Sequence, residues 1–267
     1  MYGEVALEKG YLSVISWDGT YQGRLAEVLG GYGSALSPDK HHLVDLPYII
    51  DLNSGERSFY EELESCTAPS WSPDSTKLAV SCPTDNFHHD DIYIFSLGDL
   101  SKVPITNCEF EAFSCGGPLW SPDGHWLAFY RGLAGSGTSR LVGLHILDMT
   151  CSSGLVECWK DEEGIYVPAD FSWSPDSEFL AAVDKNKVFV FETKDGKLEL
   201  TESYTIDGSL AQVTWLDDSD KLLVLDNKGG GGYMISKQTG AISPVMEPLN
   251  RFLKSHTGSI SFAFAIP

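Results

Sequence analysis

The chain is short of positive charge. Its 267 residues carry 18 Lys and Arg against 38 Asp and Glu, a formal net charge of −20. A surface of that sign repels phosphate backbones and anionic lipid headgroups, which sets nucleic acid aside as a partner. No apolar run approaches the roughly 18 residues a membrane-spanning helix needs, so membrane insertion is not expected. Long helical periodicity is missing too. Gly, Pro, Asp and Ser interrupt the chain every few residues, which excludes a helical architecture. Catalytic signatures are equally scarce: there is no Gly-x-Ser-x-Gly nucleophile elbow and no room for the α/β-hydrolase domain that would carry one. The run Gly229-Gly230-Gly231-Gly232 lacks the Gly-Lys-Ser/Thr ending and the following helix of a phosphate cradle, and reads as a turn. No Asn-x-Ser/Thr acceptor occurs, and no signal peptide is recognisable.

What the chain does have is a repeated phrase. Trp71-Ser72-Pro73-Asp74-Ser75, Trp120-Ser121-Pro122-Asp123-Gly124 and Trp173-Ser174-Pro175-Asp176-Ser177 are nearly identical. Leu36-Ser37-Pro38-Asp39-Lys40 keeps the turn without the aromatic, and Trp215-Leu216-Asp217-Asp218-Ser219 keeps the aromatic without the proline. Equivalent positions are 35, 49, 53 and 42 residues apart (36 to 71, 71 to 120, 120 to 173, 173 to 215). Repeats in this range, with strand-like apolar runs after each phrase, indicate a propeller or solenoid rather than one continuous core. Serine first, proline second and Gly or Ser fourth suit a type I turn, because proline pre-sets φ near −65°. The aromatic before the turn belongs in a buried strand, where one ring covers about 150–250 Å².

Each repeat then supplies four strands: an inner one ending in the aromatic, a second such as 77–81, a third such as 91–95, and a more polar fourth such as 197–201. Four antiparallel strands per repeat make one propeller blade. The competing architecture is a large sandwich of ordinary hairpins, which has no reason to repeat one turn sequence. Inner strands are expected near Gly33, Pro69, Gly117, Asp170 and Ala211. Residues 4–7, 11–15 and 24–28 add three strands that lack an inner partner, and residues 259–264 form a lone strand. The expectation is therefore an all-β, single-domain, six-bladed propeller. Its four-stranded antiparallel blades would lie at about 1–32 plus 258–267, 33–68, 69–116, 117–169, 170–210 and 211–257. The C-terminal strand would close the ring by joining the N-terminal blade, which removes exposed sheet edges.

The phrase Trp120-Ser121-Pro122-Asp123-Gly124, followed by Trp126-Leu127-Ala128-Phe129, resembles the repeat of the TolB-type, WD-repeat-like β-propeller family. The resemblance covers about residues 34–223. It extends to the propeller and not to the α/β domain that precedes it in that family. It implies the fold and is nearly silent on function, since such blades occur in binding proteins, peptidases and lyases alike.

Six cysteines have definite places in this scheme. Cys66 and Cys82 fall on one rim of the expected ring, and Cys108 and Cys115 flank one connection on that rim. Cys151 and Cys158 bracket a hairpin turn on the other rim. Two readings stand: three disulfides between these neighbours, or six mostly buried thiols. Disulfides imply an extracellular or periplasmic location, with the leader cleaved or lying outside this chain.

Metal-ligand chemistry is concentrated in Asp85-Asn86-Phe87-His88-His89-Asp90-Asp91. Asp85, His88, His89 and Asp90 could hold a divalent cation. The competing reading is a solvated loop between second and third strands, where Asp and Asn are ordinary turn formers. No other cofactor is expected. His41 and His42 begin a second strand and so fall on the opposite rim. The longer connections, 83–90, 109–117, 132–140 and 159–169, share one rim, and uneven loops on a rigid ring are where binding concentrates. Phe87, Phe110, Phe113 and Tyr166 would supply aromatic anchors there beside His88 and His89, with acidic neighbours selecting a basic protein partner. The expected function is a non-enzymatic protein-binding or scaffolding module. Alternatives are a structural subunit of an extracellular assembly, built from copies of itself, and a lyase- or hydrolase-like propeller with its site in the central channel.

Overall fold

The computed structural model describes residues 10–15, 22–28, 33–84, 89–108, 113–133, 140–151, 170–216, 219–226 and 231–245. Strands β1 (Gly10–Ile15) and β2 (Gln22–Val28) pair as a two-stranded ribbon. Five antiparallel meanders follow. The first sheet holds β3 (Ser34–Leu36), β4 (His42–Asp45), β5 (Tyr48–Asp51) and β6 (Arg57–Phe59). The second holds β7 (Thr67–Trp71), β8 (Lys77–Pro83), β9 (Asp90–Ser96) and β10 (Lys102–Pro104). The third holds three strands among the described residues, β11 (Phe113–Trp120), β12 (Trp126–Leu133) and β13 (Arg140–Asp148). The fourth comprises β14 (Asp170–Trp173), β15 (Phe179–Asp184), β16 (Lys187–Lys194) and β17 (Lys197–Thr205). The fifth comprises β18 (Leu210–Trp215), β19 (Lys221–Asp226), β20 (Gly232–Ser236) and β21 (Ile242–Pro244). In every sheet, neighbours in sequence are neighbours in space. The opening strands of successive sheets, β3, β7, β11, β14 and β18, lie beside one another in that order.

The core is divided among the gaps between sheets. Val44 and Ile49 of the first sheet meet Trp71, Leu78, Val80 and Phe95 of the second. Ala79, Ile92 and Ile94 then face Leu127, Phe129 and Leu147 of the third. Ala128, Leu144 and Ile146 face Trp173, Leu180, Ala182 and Phe191 of the fourth. Ala181, Val183 and Val190 face Val213, Trp215, Leu222 and Val224 of the fifth. Adjacent residues of β8, β12 and β15 therefore bury opposite faces. This is why these strands read as continuous apolar runs rather than as alternating ones.

The expected six-bladed closed ring is corrected. Among the described residues, five sheets of mostly four antiparallel strands are seen rather than six blades, and no sheet closes into a ring. Ahead of Gly33 the described residues pair as the β1–β2 ribbon, with a register shift between Leu12 and Ser13. Apolar alternation locates a strand, but only the hydrogen-bond register decides which sheet it joins. The expected strands at 4–7 and 259–264, and their pairing, lie outside the described residues.

The repeated phrase builds one turn again and again. In the four proline-bearing copies the serine amide donates to the carbonyl five residues on, at 2.8–2.9 Å: Ser37 to His42, Ser72 to Lys77, Ser121 to Trp126 and Ser174 to Phe179. Each serine hydroxyl donates to the aspartate two residues later at 2.5–2.6 Å and accepts the amide five residues later at 2.9–3.0 Å. The fourth residue is left-handed in every copy, with φ of 63° at Lys40, 60° at Ser75, 73° at Gly124, 64° at Ser177 and 49° at Ser219. Where it is serine, its hydroxyl reaches the preceding sheet and accepts the aspartate amide there: Asp39 to Ser75 at 3.1 Å, Asp123 to Ser177 at 3.0 Å and Asp176 to Ser219 at 3.2 Å. Three of the four tryptophans do the same, donating from Nε1 to the opening strand of the preceding sheet: Trp71 to Ala35, Trp173 to Leu119 and Trp215 to Ser172. The phrase is thus an inter-sheet staple as much as a turn.

Candidate binding rim

The strand directions put two kinds of connection at opposite ends of the sheets. At one end lie the stapled turns, 37–41, 72–76, 121–125, 174–178 and 216–220, each five residues long. At the other end the links between second and third strands vary: two residues at 46–47, six at 84–89, six at 134–139, two at 185–186 and five at 227–231. Links between sheets at that end vary as well, with seven residues at 60–66, eight at 105–112 and four at 206–209. One end is uniform and pinned, the other irregular.

The described part of the irregular end is tied down by buried groups. Asp91, 5% exposed, accepts from the Thr106 hydroxyl and the Cys108 amide, both at 2.7 Å, through Oδ1. Thr106 in turn accepts the Ile92 amide at 2.8 Å. Disulfides Cys66–Cys82 and Cys108–Cys115, with Cα separations of 4.2 and 5.9 Å, fasten the same end. Cys151 is disulfide-bonded too. The expected partner Cys158 lies outside the described residues.

Asp85, Phe87, His88, Phe110 and Tyr166 also lie outside the described residues. Phe113 opens β11. His89 and Asp90 flank the start of β9: the His89 carbonyl accepts from the Thr84 amide at 2.9 Å, and the Asp90 amide donates to the Ser114 hydroxyl at 3.1 Å. Desolvation, then the charge of Asp91, holds the Asp90 carboxyl above its ordinary range, while His89 opposes the rise. His42 does fall at the pinned end, apart from His89. A different trio carries a possible donor set: Asp91, Cys108 and Cys115 are all buried, with ligand atoms within 4.8 Å of one another. That cluster could coordinate a metal ion, although its two sulfurs are here bonded to each other. Sequence reasoning placed Asp91 in the 85–91 cluster but did not identify it as the buried acceptor on β9.

The architecture is β-propeller-like. The β-propeller domain of Cps50 (Swd1) from Myceliophteria thermophila superposes with a TM-score of 0.60 at 11% identity, covering 89% of this chain and 86% of that one. A functionally unknown protein from Desulfotomaculum acetoxidans superposes with a TM-score of 0.60 at 16% identity, covering 91% and 77%. TolB from Acinetobacter baumannii gives a TM-score of 0.49 at 18% identity, covering 80% of this chain, which spans about half (51%) of that one. No protein-family model and no curated protein matches the sequence. Among the described residues no helix is long and apolar enough to cross a membrane.

Proposed function

We propose that this chain is a non-enzymatic protein-binding module, located outside the cytoplasm, that engages its partner through the irregular end of its sheets. The observation carrying this reading is the contrast between ends. Five turns of identical length, stapled to their neighbours, leave little room for specificity. The links of two to eight residues opposite them offer a surface that differs from sheet to sheet. Disulfides support a location where thiols stay oxidised. Phe87, Phe110, Phe113 and Tyr166 are the aromatic anchors of this reading. A net charge of −20 favours a basic partner and steers its approach. A divalent cation on Asp85, His88, His89 and Asp90 would order the 84–89 link without taking part in chemistry.

The test is a comparison of two double variants in affinity capture, each confirmed folded by circular dichroism. Phe87→Ala with Phe110→Ala is expected to weaken partner capture at least tenfold. Lys40→Ala with Glu178→Ala, on the stapled turns, is expected to leave it unchanged. The opposite pattern would move the binding face to the other end.

A further inference from the structure

A cavity of about 210 Å³ lies at the stapled end of the cleft between the first and second sheets. Its walls are His42 at the start of β4, Asp51 at the end of β5, and Glu56 and Ser58 leading into and along β6. Ile49 and Tyr60, which also pack into the core between the two sheets, line it as an apolar floor. Its polar groups lie at the stapled end while Tyr60 belongs to the 60–66 link at the other, and the site does not rest on the binding role argued for the irregular end.

One group in the cavity lacks what it ordinarily seeks, and two carboxylates stand near it. Nδ1 of His42 is buried and has no hydrogen-bond partner among the described residues. Leaving such an atom unpaired is unfavourable, and an incoming donor would relieve it. Asp51 accepts the amides of Asn53 and Ser54 through Oδ1, both at 2.8 Å, and the Ser54 side chain also bonds its carboxylate. Glu56 is exposed and leaves its carboxylate open to an incoming cation. A metal ion is a poor fit, because His42, Asp51 and Glu56 do not converge. The one described trio whose ligand atoms lie within 4.8 Å of each other is Asp91, Cys108 and Cys115.

We propose that this cavity binds a compact organic cation with several N–H donors, a guanidinium. A planar guanidinium presents donors in a fixed fork and can address the separated acceptors of Asp51, Glu56 and His42 together. Its aliphatic stem then lies over Ile49 and Tyr60, apolar surface that a metal or a hydrated ammonium would not use. Such a group can arrive as a free small cation or as the end of an arginine side chain.

The test is a titration of the whole chain with n-butylguanidinium and, separately, with its neutral isostere n-butylurea, followed by amide NMR. Shifts confined to residues 42–60, at least tenfold weaker binding of the urea, and a roughly fivefold or greater loss of guanidinium affinity in Glu56→Gln are expected. Glu56 is exposed on a turn, so this variant is expected to fold. A parallel titration with acetyl-Gly-Arg-Gly-amide against its citrulline counterpart separates the sources. Binding of the arginine peptide points to a protein partner's side chain, and binding of butylguanidinium alone to a free cation. Equal affinity for guanidinium and urea, shifts spread across the acidic surface, or a Glu56→Gln affinity equal to wild type would each overturn the site.

Discussion

Asp170 opens β14, and its Oδ2 accepts the Val213 amide of β18 at 3.0 Å. Burial pushes its carboxyl from the ordinary 3.8 up to about 6, with the amides of Val213 and Phe171 opposing the rise. The native state therefore holds that proton more tightly than the unfolded chain does. Its contribution to stability is complete below about pH 4 and is lost as the pH rises through about 6. At 1.36 kcal/mol per unit, the ionised group costs the fold up to about 3 kcal/mol at neutral pH. Asp170→Asn keeps an acceptor for Val213 and removes the ionisation. It should melt above wild type at pH 7.5, with the gap closing near pH 4. A gap independent of pH would mean that Asp170 acts by packing alone. Ser177 makes a second test at this scale, because its φ of 64° is strained for any side chain while its hydroxyl staples Asp123. Ser177→Ala keeps the strain and loses the bond, and is expected to cost about 1–2 kcal/mol. Ser177→Gly loses the bond but relieves the strain, so it should cost less in the same denaturant titration. The reverse order would deny the staple.

Among the elements, the link from β10 to β11 depends most on one side chain. Asp91→Ala would leave the buried Thr106 hydroxyl and Cys108 amide without their acceptor, an expected loss of about 2–4 kcal/mol. Asp91→Asn retains an acceptor oxygen and should cost less than about half of that. Urea denaturation of both variants decides it, and equal losses would mean that the charge, not the acceptor, holds the link. Most strands were legible from the chain alone, since the turn phrase and the apolar runs locate them. The inner strand expected near Gly117 instead begins at Phe113. Gly117 lies within β11 at a register shift, with φ of 60°, and the Tyr130 ring occupies the space a Cβ would need, 2.5 Å away. A glycine that permits close packing looks, in sequence, like a glycine that ends a loop.

For the whole molecule, 38 acidic side chains against 18 basic ones make self-repulsion a standing cost of compactness. Raising salt from about 0.01 to 0.2 M shortens the screening length from about 30 Å to under 10 Å. The melting temperature should rise over that range. A fall would show that attractive ion pairs outweigh the net repulsion. The same salt would slow association with a basic partner, so stability and binding should respond in opposite directions.

The repeat phrase was enough to read an all-β array of antiparallel meanders, because its turn chemistry is local: the serine hydroxyl bonds the aspartate two residues on, around the intervening proline. The two disulfides Cys66–Cys82 and Cys108–Cys115 were legible for a related reason, each joining cysteines 16 or 7 residues apart across a connection the phrase already located. The number of sheets was not legible, since strand count follows from apolar pattern while sheet membership follows from register between distant segments. Nor was the cavity beside His42. That histidine reads as an ordinary start of a strand; the β4–β5 register sets it opposite Asp51, and the folded molecule buries Nδ1 without a partner among the described residues. Local hydrogen bonds can be read from neighbours in the chain, whereas an unmet one depends on everything that tertiary packing fails to put beside it.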